Sequence, residues 1–284
     1  MFKKIFFAAA LLLASELIAK PVVIASIAPV EYLAKAVGGD KIEVQSLAKG
    51  DVHSYEPKPN DMKAVAKARI FIAAGLEFEE AWIPRFKASA KNLVVVKSDA
   101  KIAKLKEERG EQAEHDEKHE AHADPHVWLN PMLAITMARN ISDALIDMDK
   151  ANKDFYLENF QKLMNDLLAF DESAKESLAG LKNRKFVVYH PAWGYFAAHY
   201  DLEQISIERS GKEPKIDEMA STLKMIKDEN IKVIFADPNR SQKSAQTLAS
   251  QTGAKVELLD PLGYNLLENL KIAVGAIKDA NSPK

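Results

Sequence analysis

Asp124-Pro125-His126-Val127-Trp128-Leu129-Asn130-Pro131 divides the chain into two regimes. Pro125 and Pro131 bar a continuous helix or central strand here, because each ring removes a backbone donor and restricts the residue before it. Asn130 reads as an N-cap with Pro131 at the first helical position, so a helix opens at this point. His126 is held in the rigid turn between the prolines. Residues 107–124, leading into it, carry eight acidic side chains, Arg109, Lys118 and three histidines, His115, His119 and His122. Imidazole suits Zn, Cu, Fe and Ni, and a rigid turn fixes the direction of its lone pair. The stretch therefore points to transition-metal handling.

Upstream of this divide, apolar runs alternate with helical periodicity. Strands are expected at 21–27, 42–47, 70–74 and 93–96, with a helix at 30–37 closed by Gly38-Gly39 and another at 62–68 capped by Asn60 or Asp61. Downstream the pattern is helical over 132–149 and again over 152–181. Phe155, Tyr156, Phe160, Leu163, Met164, Leu167 and Leu168 recur there at three- and four-residue spacing. No Gly or Pro interrupts 151–178, so this helix should run roughly 40 Å at 1.5 Å per residue. Strands then return at 186–189, 204–207, 233–236 and 256–259, separated by helices at 217–230 and 242–252. Strand alternating with helix implies parallel sheets covered on both faces. The expected fold class is α/β, with two lobes of mostly parallel sheet joined by one long backbone helix. The lobes take residues 20–150 and 182–284, and the connecting helix takes 151–181.

Composition removes several alternatives. The 284 residues carry a net charge of -2, which gives no general attraction to nucleic acid or membrane. Cysteine is absent, so disulfides, thiolate metal sites, cysteine nucleophiles and cysteine-linked lipid are all excluded. Any metal must be held by His, Asp and Glu. Residues 1–19 read as a signal peptide: Lys3 and Lys4 precede an apolar run over 5–14 that is too short to span a bilayer, and Ala19 precedes the expected cleavage. The processed protein is expected to be exported, soluble and free of stable membrane insertion.

The histidines share a positional pattern. His53, His126 and His190 each follow a strand or extended segment and lie within four residues of a proline, and Asp260 repeats the arrangement beside Pro261. Ligands of open α/β sheets bind beyond the carboxyl ends of strands, so these four side chains can converge between the lobes. Three neutral imidazoles and one carboxylate complete a tetrahedral zinc site without sulfur. A site so filled leaves no position for activated water, and no HExxH, GxSxG or phosphate-cradling glycine loop is present; both facts argue against an enzyme. His199 serves as a control: if the segment after His190 is helical, nine steps place it on the opposite face. Asp237 reads as a turn former with Pro238-Asn239 rather than a ligand. Three imidazoles should lose metal as pH falls through their ordinary range near 6–7.

Four motifs carry a family resemblance: Val52-His53-Ser54-Tyr55-Glu56-Pro57, the opening stretch itself, Tyr189-His190-Pro191-Ala192-Trp193-Gly194-Tyr195-Phe196, and Leu258-Leu259-Asp260-Pro261-Leu262-Gly263. In this order they resemble the zinc/manganese-binding solute-binding proteins of ABC importers, cluster A-I, and most of all the periplasmic subunits of zinc importers. The resemblance implies a metal cleft between two lobes, with His53 and His126 from the first and His190 and Asp260 from the second. Manganese-type members commonly have Glu where His190 stands, so the resemblance implies Zn²⁺ as the transported ligand, with manganese or iron import as the alternative. It implies a membrane permease as partner, a monomer in the periplasm and no catalysis. Val52 stands where some zinc-type members place a carboxylate, which leaves Asp260 or water as fourth ligand. His115, His119 and His122 are expected to form an auxiliary, low-affinity metal collector.

Overall fold

The structure is a computed structural model and describes residues 19–106, 123–208 and 216–281. The expected signal peptide, except for Ala19, and His115, His119 and His122 lie outside the described residues. Two four-stranded sheets organise the rest, and every strand pairing is parallel. The first sheet holds β1 (Val22–Ala25), β2 (Glu43–Ser46), β3 (Ile70–Ala73) and β4 (Val94–Lys97) in the order β2-β1-β3-β4. The second holds β5 (Lys185–Val188), β6 (Glu203–Ser206), β7 (Val233–Ala236) and β8 (Lys255–Leu258) in the order β6-β5-β7-β8. Burial follows from that order. Central β3 and β7 are buried at every position and read as unbroken apolar runs, whereas edge strands β4 and β8 are largely exposed.

Helices α1 (Ala28–Gly38), α2 (Pro59–Val65), α3 (Glu77–Ser89) and α4 (Pro131–Met148) belong to the first half. Helix α5 (Lys153–Ala179) is the long connector, and α6 (Gly194–His199), α7 (Ile216–Asp228), α8 (Lys243–Thr252) and α9 (Leu266–Asn281) complete the second half. The expected two-lobed α/β architecture with one long helix is what the chain forms. Along α5, Tyr156, Phe160, Leu163, Leu167, Phe170, Ala174 and Leu178 are buried at steps of three and four, one continuous stripe. That stripe joins the lobes energetically. Leu33 and Val37 of the first lobe, Leu163 and Leu167 of α5, and Phe186, Phe196 and Leu270 of the second belong to one apolar core.

Local signals explain where elements begin. Asn130 Oδ1 accepts hydrogen bonds from Met132 N at 2.9 Å and Leu133 N at 3.3 Å, and Pro131 follows, the expected start of α4. Gly39, at φ +55°, ends α1 in a conformation that disfavours a side chain. Other expectations need correction. Helix α2 begins at Pro59, not residue 62, because Asp61 works from inside its first turn: its carboxylate accepts from Lys58 N at 2.7 Å. Helices α3 and α9 have no counterpart among the expectations. Pro84 inside α3 disguised its period, but the Glu79 carboxylate secures its start by accepting from the Ala74, Gly75 and Leu76 amides at 2.8–3.0 Å. No described helix is long and apolar enough to cross a membrane.

Candidate metal centre

Strand ends and tight turns deliver the histidines. His53 sits in the loop after β2, in a turn whose Asp51 Oδ1 accepts the His53 amide at 3.2 Å. His126 begins a single 3-10 turn, Val127–Leu129, behind Pro125. His190 follows β5 by two residues, and Pro191 turns the chain there. The three rings form a triangle with centroid separations of 5.6 Å (His53–His126), 5.0 Å (His53–His190) and 5.3 Å (His126–His190). One ring nitrogen from each lies within 4.8 Å of the other two, so the trio can hold a metal ion.

Carboxylates orient two of the rings. His126 Nδ1 is 2.7 Å from Asp124 Oδ1, which also accepts the His126 amide at 2.9 Å. A carboxylate oxygen only accepts, so Nδ1 carries the proton and Nε2 keeps its lone pair. Gly194 leaves room for this pair: a Cβ there would come within 3.1 Å of Asp124 Oδ2. His190 Nδ1 is 3.0 Å from Glu208 Oε2, and Arg240 Nη1 packs against the same nitrogen while donating to Glu208 Oε2 at 2.9 Å. With the carboxylate accepting both N–H groups, His190 Nε2 is likewise free. His53 Nε2 is buried and has no hydrogen-bond partner. An orphaned buried nitrogen is costly unless a ligand completes it.

Burial keeps the His53 and His190 rings neutral. Burial pushes His53 down to about 4, helped by His126 and Arg240 and opposed by Asp51 and Asp124. His190 lies well below the usual histidine range for the same first cause, with His126, Arg240 and His53 adding repulsion. Protons therefore compete with metal at these two nitrogens only in acid well below neutrality. For these two rings the expected loss near pH 6–7 moves to lower pH, because that expectation assumed solvated imidazoles.

The remaining candidates have other partners. Asp260 is not a member of the three-histidine group; its Oδ1 accepts from Asn239 Nδ2 and from Leu262 N, both at 2.8 Å. Asp237 forms the expected turn, accepting from Asn239 N at 2.7 Å. His199 faces away, its Nε2 2.6 Å from Asp171 Oδ1 on α5. Sequence reasoning did not single out Glu208 or Arg240. Glu208 lies beyond β6, and only the pairing of β6 with β5 sets it beside His190, through its amide bond to Tyr189 O at 2.8 Å. Polar residues beyond the carboxyl ends of β6 and β7 were the available signal.

Fold and site together define a two-lobed α/β protein with an imidazole cluster where the lobes meet. The family model described as ZnuA, zinc-uptake complex component A, periplasmic, matches residues 23–280, and the chain belongs to that family. It is 30% identical over 279 residues to the high-affinity zinc uptake system protein ZnuA of Bacillus subtilis (strain 168), covering 91% of this chain and 86% of that protein. A crystal structure of ZnuA superposes with a TM-score of 0.85 at 35% identity, covering 93% of this chain and 100% of the other. A ZnuA deletion mutant with zinc bound gives 0.86 at 34% identity, covering 93% and 99%.

Proposed function

We propose that this protein captures Zn²⁺ outside the cytoplasmic membrane and delivers it to the permease of an ABC importer. The three-imidazole triangle spanning both lobes is the observation that carries this reading. Imidazoles suit Zn²⁺, whereas oxygen-rich sets favour Mn²⁺, and burial holds His53 and His190 in the neutral form that can ligate. Membership of a zinc-uptake family and a likeness to zinc-bound ZnuA support the same cargo. His53, His126 and His190 are the ligands in this reading, and Asp260 or a water fills the fourth position. The protein binds and releases; it performs no covalent step. It works as a soluble periplasmic monomer after loss of residues 1–19, with 20–150 and 182–284 as the metal-binding lobes. His115, His119 and His122 collect zinc weakly near the site.

Native mass spectrometry of the processed protein tests the reading. Wild type should hold one tight Zn²⁺, His190→Ala should lose it, and His199→Ala should keep it. Equal losses in both variants would sink the ligand assignment. Competition between Zn²⁺ and Mn²⁺ separates the import of manganese or iron, and Asp260→Ala separates carboxylate from water as the fourth ligand.

A further inference from the structure

We propose that Arg240 and Asp51 form a latch between the lobes that holds the His53 loop on the metal centre and sets the rate at which metal leaves. The inference rests on the zinc-binding reading above and concerns release, which that reading leaves undetermined.

One chain of contacts surrounds the histidine triangle. His53 donates its amide to Asp51 Oδ1 at 3.2 Å, and Ser54 Oγ donates to Asp51 Oδ2 at 3.3 Å. Asp51 Oδ2 faces Arg240 Nη2 at 3.7 Å. Arg240 Nη1 donates to Glu208 Oε2 at 2.9 Å, and that oxygen accepts from His190 Nδ1 at 3.0 Å. The series runs from the backbone of one ligand to the ring of another. Of its links, the Arg240–Asp51 pair is the one that crosses between the lobes.

The anchoring of the two partners is unequal, and that makes this link the weak point. Arg240 stands on a stiff turn: its amide bonds to Asp237 O at 3.2 Å, and the neighbouring Asn239 ties Asp237 to Asp260. Glu208 is almost fully buried. Asp51, in contrast, belongs to a half-buried loop after β2, and His53 is less buried than His126 or His190. A metal held by three imidazoles leaves by losing them singly, and His53 is the one whose support can swing outward. Other lobe-bridging contacts serve His126 instead. Trp128 Nε1 donates to Pro261 O at 2.8 Å, and Tyr195 Oη donates to Asp124 O at 2.8 Å. Uncharged and buried, they stay closed while the latch opens.

Charge makes the latch distinguishable from packing. The Arg240 and Asp51 side chains are 18% and 31% exposed, so salt screens their attraction, whereas it leaves a purely steric contact unchanged. A partly exposed pair is worth up to about 1 kcal/mol, which is up to roughly a fivefold change in rate.

The test preloads the full processed chain with Zn²⁺ and follows its release to an excess of fluorescent chelator by stopped flow. Arg240→Gln and Asp51→Asn should each release zinc about threefold to fivefold faster than wild type, with association rates little changed. The Asn side chain still accepts the His53 amide, so the turn persists. The double variant should release no faster than the faster single variant, because both remove the same link. Added salt should speed release from wild type and leave the single variants unmoved. Wild-type release rates in both singles, effects that multiply in the double variant, or an equal salt response in all forms would each overturn the latch. A wild type that loads no zinc would overturn the proposed function instead.

Discussion

At the scale of single residues, the centre is built from pairs. Asp124 fixes the tautomer and tilt of His126, and Glu208 does the same for His190, so both of these rings are oriented by the protein itself. Asp124→Asn keeps the shape but weakens the acceptor, and should lower zinc affinity by about 10-fold to 100-fold in a competition titration. An affinity within twofold or so of wild type would show that the turn between the prolines orients His126 unaided. The histidines themselves were readable, because each lies within four residues of a proline, close to the end of a strand or extended segment. Asp260 shares that pattern yet stands outside the trio, since Asn239 and Leu262 engage its Oδ1. Neighbourhood in sequence cannot reveal a partner brought in from another strand.

At the scale of elements, α5 shows how far a periodic signal carries. Its stripe was legible because an uninterrupted apolar repeat has one low-energy arrangement, face down on the core. Leu167 and Leu168 are sequence neighbours on opposite sides of that rule, the first fully buried and the second 40% exposed. Leu167→Ala should cost about 2–5 kcal/mol in denaturant unfolding, and Leu168→Ala within about 0.5 kcal/mol of nothing. Comparable losses would mean that α5 does not pack as a one-sided connector. Helix α3 was missed for the converse reason: Pro84 breaks the local signal, while the buried Glu79 carboxylate and the packing of Phe78 and Phe86 hold the helix regardless.

For the whole molecule, folding and proton binding are linked through the same buried cluster. Unfolded, His53 titrates near its ordinary 6.5; folded, it does so at about 4. Above pH 6.5 neither state binds the proton and the cluster carries no penalty. As pH falls from 6.5 toward 4, the unfolded chain takes up protons that the folded one refuses, so stability is lost across that window. His190 shifts in the same direction and adds to the loss. The melting temperature of metal-free protein should therefore drop across this range, and by less in His53→Gln. A flat profile, or one unchanged by that substitution, would contradict a neutral buried cluster. Zinc, which binds the folded state, should raise the melting temperature most near neutrality.

By itself the sequence determined the eight strands in order, the long connector, the cap at Asn130 and the three histidines that the fold brings together. Each of these depends on residues near one another in the chain: an apolar period, a proline beside a strand end, an asparagine before a proline. Only the tertiary structure decided which strand lies beside which, and hence that Glu208 and Arg240 meet His190, that Asp51 faces Arg240 across the lobes, and that burial favours the neutral rings of His53 and His190. The physical reason is one of range. Local sterics and hydrophobic periodicity are encoded within a few residues, whereas desolvation and ion pairing depend on everything within a few ångströms, from whatever part of the chain it comes.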